Sequence, residues 1–208
     1  MLETFITAFI VYFVVIDPVG NAPVFLAITQ SQARRQKFRT AIEGTLFATG
    51  IMLFFALCGA WLLAYLKITD HAFKIAGGMI LFLVALDMLS AKRQERKRGE
   101  GLPDGAEASG DNLAVYPLAI PMLAGPSAIT SVIVVTSGFA GDTASIVIGY
   151  AALFAVMLAT GVILCLTVVA ESWLNEKITM VFSRITAIVL AGLSVQYVLD
   201  GLAAVNWG

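Results

Sequence analysis

The chain is predicted to be an all-α polytopic membrane protein. Its six transmembrane helices form two inverted three-helix repeats, with helices 1 and 4 broken at Pro/Gly hinges. Three observations lead there. Mean hydropathy is +0.90, and 59% of residues are apolar against 13% charged, where soluble domains average about 25% charged. The apolar residues gather into six runs bounded by charges, and a spanning helix needs roughly 20 such residues. Finally, Pro18-x4-Pro23 in the first run recurs as Pro121-x4-Pro126 in the fourth.

The first run covers roughly 4–29 and stops at a basic cluster of Arg34, Arg35, Lys37 and Arg39. Inside it, Asp17-Pro18-Val19-Gly20-Asn21-Ala22-Pro23 interrupts the apolar sequence. Neither proline has an N–H, and each ring opposes the carbonyl four residues back, so no straight helix passes through. The second run spans roughly 44–66, and a short loop with Lys67, Asp70 and His71 leads to the third, roughly 73–90. Residues 91–112 form a charged, Gly/Pro-rich linker, a composition that favours solvation. The fourth run, roughly 113–138, holds Pro117, Pro121 and Pro126; the fifth is roughly 144–170 and the sixth roughly 184–204. The chain thus divides into a first repeat at 1–90, the linker at 91–112 and a second repeat at 113–208.

Lys and Arg sort by side. Loops after runs one, three and five hold eleven of the thirteen, and the opposite side holds Lys67 and Lys74. By the positive-inside rule the odd loops are cytoplasmic and both termini lie outside. Two further correspondences link the halves. Ala48-Thr49-Gly50 matches Ala159-Thr160-Gly161, and Leu86-Asp87-Met88-Leu89 matches Leu199-Asp200-Gly201-Leu202. Three helices per half make the second half enter from the other side, an arrangement typical of secondary transporters.

Interrupted segments at corresponding places mark the binding site in such folds. Pro23 and Pro126 each suit the first turn of a new half-helix, which would present N–H groups near Asn21–Val24 and Ala124–Ala128 to a carboxylate. Gly20, Ala22, Ala124 and Gly125 are small enough to admit a ligand to the backbone, and Asn21, Ser127 and Thr130 add neutral hydrogen-bonding groups. Asp17 lies about 13 residues into its run, roughly 20 Å deep. It has two readings: a proton carrier whose pKa rises by desolvation, or a brace for the broken backbone. Asp17→Asn separates them. Elsewhere Gly77, Gly78 and Gly192 read as helix-packing positions, and Asp87, Asp200, Glu43 and Glu171 as interfacial. Trp61, Trp173 and Trp207 fall at run ends, as anchors do.

Other functions lack their residues. The formal charge of −1 does not favour nucleic acid. A Walker-type loop is missing. His71 stands alone, and Cys58 and Cys165 sit inside apolar runs as small buried hydrophobes, so neither metal nor cofactor is expected. Met1-Leu2-Glu3 gives no basic start of a signal peptide, and the first run is expected to be retained. An acid-based intramembrane enzyme needs two facing carboxylates, yet the repeat partner of Asp17 is Ile120. A scaffold without transport predicts that hinge substitutions alter assembly; a channel predicts flux that does not saturate. The expected partners are the bilayer and a small molecule, with homo-oligomers left open.

The two hinge stretches, Asp17 to Pro23 and Ala119-Ile-Pro-Met-Leu-Ala-Gly-Pro-Ser-Ala-Ile-Thr130, resemble the signatures of the MarC family of bacterial inner-membrane proteins. The resemblance covers essentially the whole chain, including the linker after the third run and external termini. It implies kinship with LysE-type exporters and with SnatA-type transporters of glycine and other small neutral amino acids. Carried over residue by residue, it implies a binding region of Asp17, Pro18, Gly20, Asn21 and Pro23 with Pro121, Gly125, Pro126, Ser127 and Thr130. Ser127 departs from the Gly expected in many relatives; its hydroxymethyl narrows the pocket or adds a ligand contact.

Overall fold

A computed structural model of the chain describes residues 1–89, 113–139, 142–170 and 176–204. All its elements are helical: α1 (Leu2–Ile16), α2 (Pro18–Ile28), α3 (Arg34–Tyr65), α4 (Asp70–Leu89), α5 (Ala114–Leu123), α6 (Pro126–Gly138), α7 (Thr143–Val169) and α8 (Glu176–Ala203). The charged linker, Glu171, Trp173, Trp207 and the side chain of Asp87 lie outside the described residues.

Among the described residues, four stretches are long and apolar enough to cross a bilayer, namely Leu2–Ile28, Arg34–Gly59, Thr143–Val169 and Val181–Ala203. The pair α5 and α6, bent by 55°, makes a fifth if taken as one span. The expected third span is carried by α4, in which His71–Leu86 is the apolar stretch among the described residues. The long α3 starts about ten residues before the apolar run predicted at 44. Its basic cluster rides the first turns, where the Gln36 side chain accepts from the Ala33 N–H at 3.2 Å and Arg39 pairs with Glu43 at 2.7 Å. At the far end Trp61 stacks on Tyr65, ring centroids 5.5 Å apart. This is an amphipathic pair where an interfacial anchor belongs.

The surface carries many large apolar side chains, unlike that of a soluble protein, and the apolar core encloses some polar groups. Leu46, Phe54, Leu57, Phe154 and Leu158 face outward, whereas Asp17, Asn21, Ser131 and Thr160 are buried. Hydroxyls inside the helices return to their own backbone: Thr45 to Ala41 O at 2.7 Å, Thr160 to Val156 O at 2.8 Å. Hydrocarbon offers no other partner.

Helices α4 and α8 pack along each other, α1 lies on α7, and α3 contacts α5, α6 and α7. Gly78 permits the α4–α8 approach, since a Cβ there would stand 2.7 Å from Ser194 O. Gly77 sits against Val134 of α6. Gly192, expected in a packed contact, instead faces open space; it lies on the outer side of α8, two residues from the buried Ser194. Cys58 and Cys165 are free thiols, half-buried rather than buried. Outside the apolar span, Asp142 caps α7 by accepting from the Ala144 N–H.

Candidate functional site

The first break is a single residue. Helix α1 ends at Ile16, Asp17 adopts φ 50° and ψ 59°, and α2 begins with Pro18 in its first turn. Asp is among the few residues that accept this left-handed conformation, and a proline at the first helical position forfeits no hydrogen bond. The new helix therefore starts at Pro18, and Pro23 lies within it. This corrects the expectation of a half-helix opening at Pro23. The N–H groups at the helix start belong to Val19 and Gly20 instead of Asn21–Val24.

That start is already capped by a side chain of the chain itself. The Asp17 carboxylate, 3% exposed, accepts from the Gly20 N–H at 3.1 Å and from the Ser183 hydroxyl of α8 at 3.5 Å. Gly20 is required by closeness, since a Cβ there would stand 2.6 Å from both Asp17 Cγ and Ser183 Oγ. Asn21, wholly buried, donates its side-chain N–H to Ile16 O at 2.7 Å and to Met122 O at 3.4 Å. The first hinge thereby reaches into the second. Pro18 and Ala22 are buried beside it.

The second break is broader. Segment α5 winds in wide turns interrupted by extended backbone at Tyr116 (φ −130°, ψ 126°) and Ile120 (φ −125°, ψ 124°). Each precedes a proline, which pushes its neighbour out of the helical region. The Ala124 N–H closes back on Ala119 O at 2.8 Å, and Gly125 in extended conformation leads into α6 with Pro126 in its first turn. Here the predicted helix start stands. A Cβ on Gly125 would approach Pro121 O to 2.5 Å, so the tight return needs glycine. Unlike α2, α6 has no side-chain cap. Ala124 is buried, Pro121, Ser127 and Thr130 are half-buried, and Pro126 is exposed. The Thr130 hydroxyl turns back to Pro126 O at 2.8 Å.

Two participants escaped the sequence reading. Ser183 holds Asp17 from the other end of the chain, and nothing in its local sequence distinguishes it from other hydroxyls near a run's end. Tyr12, one turn before the end of α1, is fully buried, and its hydroxyl has no hydrogen-bond partner among the described residues. Its depth was the available signal, because tyrosines in membrane helices favour the interface.

No solved structure matches the chain. Among curated proteins, it is 31% identical over 204 residues to a UPF0056 membrane protein of Methanocaldococcus jannaschii, covering 97% of each. It is 33% identical over 207 residues to a UPF0056 membrane protein of Archaeoglobus fulgidus, covering 97% of this chain and 93% of the relative. The UPF0056 inner membrane protein YhgN of Escherichia coli K12 is 28% identical over 204 residues, with 97% of each covered. The profile of the MarC family of integral membrane proteins matches residues 2–205. The chain belongs to the MarC family.

Proposed function

We propose that this protein is a secondary transporter of a small neutral amino acid or a similar small metabolite, working by alternating access around the two hinges, with Asp17 carrying a proton. The observation behind this reading is Asn21, which ties the carbonyl freed at the first break to a carbonyl of the second, in the interior. Helix packing supports the architecture such a mechanism needs. Exchange α1 with α5, α2 with α6, α3 with α7 and α4 with α8. The α1–α7 contact then becomes α5–α3, α2–α7 becomes α6–α3, and α2–α8 becomes α6–α4, while α4–α8 and α3–α7 return to themselves. Two inverted repeats of three spans behave this way, with α4 as the shortest span. The eleven-to-two division of basic residues supports external termini in the inner membrane.

The hinges divide the work. Asp17 fills the start of α2, so a substrate carboxylate goes to the uncapped start of α6, at the Ser127 and Ala128 N–H groups. The substrate ammonium turns to Asp17. Protonating Asp17 removes its charge and leaves a weaker acceptor for Gly20 N–H and Ser183. Proton uptake would thus loosen the first hinge from α8, which links the proton to the moving part. No enzymatic step enters this reading.

Proteoliposomes test it, with a panel of labelled small amino acids, with and without a pH gradient. The wild type should give saturable flux. Asp17→Asn should keep the fold, because Asn also caps helices, and lose the response to the gradient. Gly125→Leu should block flux by colliding with the Pro121 carbonyl. Absence of saturable flux across the panel sinks the proposal, and flux that rises linearly with concentration assigns a channel.

A further inference from the structure

A groove of about 400 Å³ runs along the outside of the bundle between α3 and α7. Phe38, Ile42 and Thr49 line it from one helix, Phe154, Gly161 and Val169 from the other. The helices are antiparallel. Tyr150 donates to Ala56 O at 3.3 Å, and further along Gly161 faces Thr45, whose Cγ2 lies 3.4 Å from where a Cβ would stand. The start of α3 and the end of α7 therefore share one end of the groove.

The walls suit hydrocarbon. The hydroxyls of Thr45 and Thr49 donate to Ala41 O and Thr45 O, each at 2.7 Å, so both are spent within their own helix. Length then identifies the kind of chain. Phe38 to Thr49 spans about 16 Å at 1.5 Å per residue, about half of a hydrocarbon core roughly 30 Å thick. The groove is one leaflet deep.

Charge identifies the headgroup. Arg35, Phe38, Ile42, Thr45 and Thr49 follow one another at alternating three- and four-residue intervals, which is one stripe of a helix. Arg34 and Arg35, both exposed, stand one turn beyond Phe38 at the mouth. We infer that the groove seats an acyl chain of an anionic phospholipid, its phosphate held by the guanidinium groups of Arg34 and Arg35, which match phosphate oxygens in pairs. A second copy of the chain fits less well. A twofold axis along the membrane normal puts the same patch of both copies together, and here that would oppose two arginine clusters.

The test uses the full chain in mild detergent, with dioleoyl phosphatidylglycerol or dioleoyl phosphatidylcholine titrated in and bound lipid counted by native mass spectrometry. The wild type should retain phosphatidylglycerol preferentially. The double variant Arg34→Gln/Arg35→Gln should bind it roughly thirtyfold more weakly, the effect of two cations near an anionic surface, with phosphatidylcholine unchanged. Val162→Trp, which fills the groove from an exposed position, should reduce retention of both lipids. Equal retention of the two lipids by the wild type overturns the inference, as does phosphatidylglycerol binding that neither variant weakens. Cross-linking of Val162→Cys to a second copy across this face in membranes also overturns it.

Discussion

Asn21 offers a measurable test of how the two hinges hold together. Ile16 is the last residue of α1, and the N–H four positions on, that of Gly20, is turned to the Asp17 carboxylate. The carbonyl of Ile16 is served by the Asn21 side chain at 2.7 Å. Losing a buried partner costs about 1–3 kcal/mol, and hydrocarbon supplies no water to replace it. The bond to Met122 O, at 3.4 Å, is near the geometric limit and adds little energy, although it is the contact that reaches the second hinge. Asn21→Ala removes donor and volume together; Asn21→Leu keeps the volume and removes the donor. Both should lower unfolding stability in detergent by about 1–3 kcal/mol, and both should impair flux in proteoliposomes. If Asn21→Leu matches the wild type in stability and flux, the side chain is only filling space and the hydrogen-bonded link is refuted.

Gly20→Ala would ordinarily favour a helix by about 1 kcal/mol. Here its methyl would meet Asp17 and Ser183, so the carboxylate must leave the Gly20 N–H, and thermal unfolding should show a net loss of about 1–2 kcal/mol. Tyr12→Phe removes a buried hydroxyl that has no partner among the described residues. Stability should be unchanged or rise by up to about 1 kcal/mol; a clear loss in denaturant titration would mean that the hydroxyl is satisfied. Asp142 is held below the usual carboxylate range by the Ser145 hydroxyl, then by backbone N–H groups including that of Ala144. Its folded pKa is depressed, so its contribution is complete above the unfolded value and fades as pH falls through the folded one. The acid limb of a pH–stability profile should therefore be shallower in Asp142→Asn, and identical limbs would exclude the cap as its source.

Much of the fold could be read without coordinates. Run lengths located the helices because hydrocarbon imposes a length and an apolar surface on whatever crosses it. Mismatches arose where charge meets helix propensity. At the start of α3, Arg34 to Arg39 continue the helix although they interrupt the hydropathy. The two breaks of the candidate site were legible in composition but not in geometry. Both proline pairs marked a break, yet Pro18 opens a helix while Pro23 is carried inside one, and Pro126 opens one while Pro121 belongs to the segment before it. Which proline breaks the chain depends on which preceding residue can leave the helical region, and that is settled by neighbours. Asp17 could do so because Gly20 and Ser183 receive its carboxylate.

By itself the sequence determined the all-helical membrane class, the two hinges and the residue types gathered in them, because those follow from local rules: backbone groups must be satisfied in hydrocarbon, and proline and glycine limit how. Tertiary structure alone decided that Asn21 meets Met122, that Ser183 holds Asp17, that the start of α2 is filled while that of α6 has no side-chain cap, and that α3 and α7 leave a groove beside two arginines. The Asn21, Ser183 and groove contacts join residues far apart in the chain, where the geometry belongs to the packed bundle. The Asp17 cap on Gly20 is local, but which proline opens each helix is set by that packing.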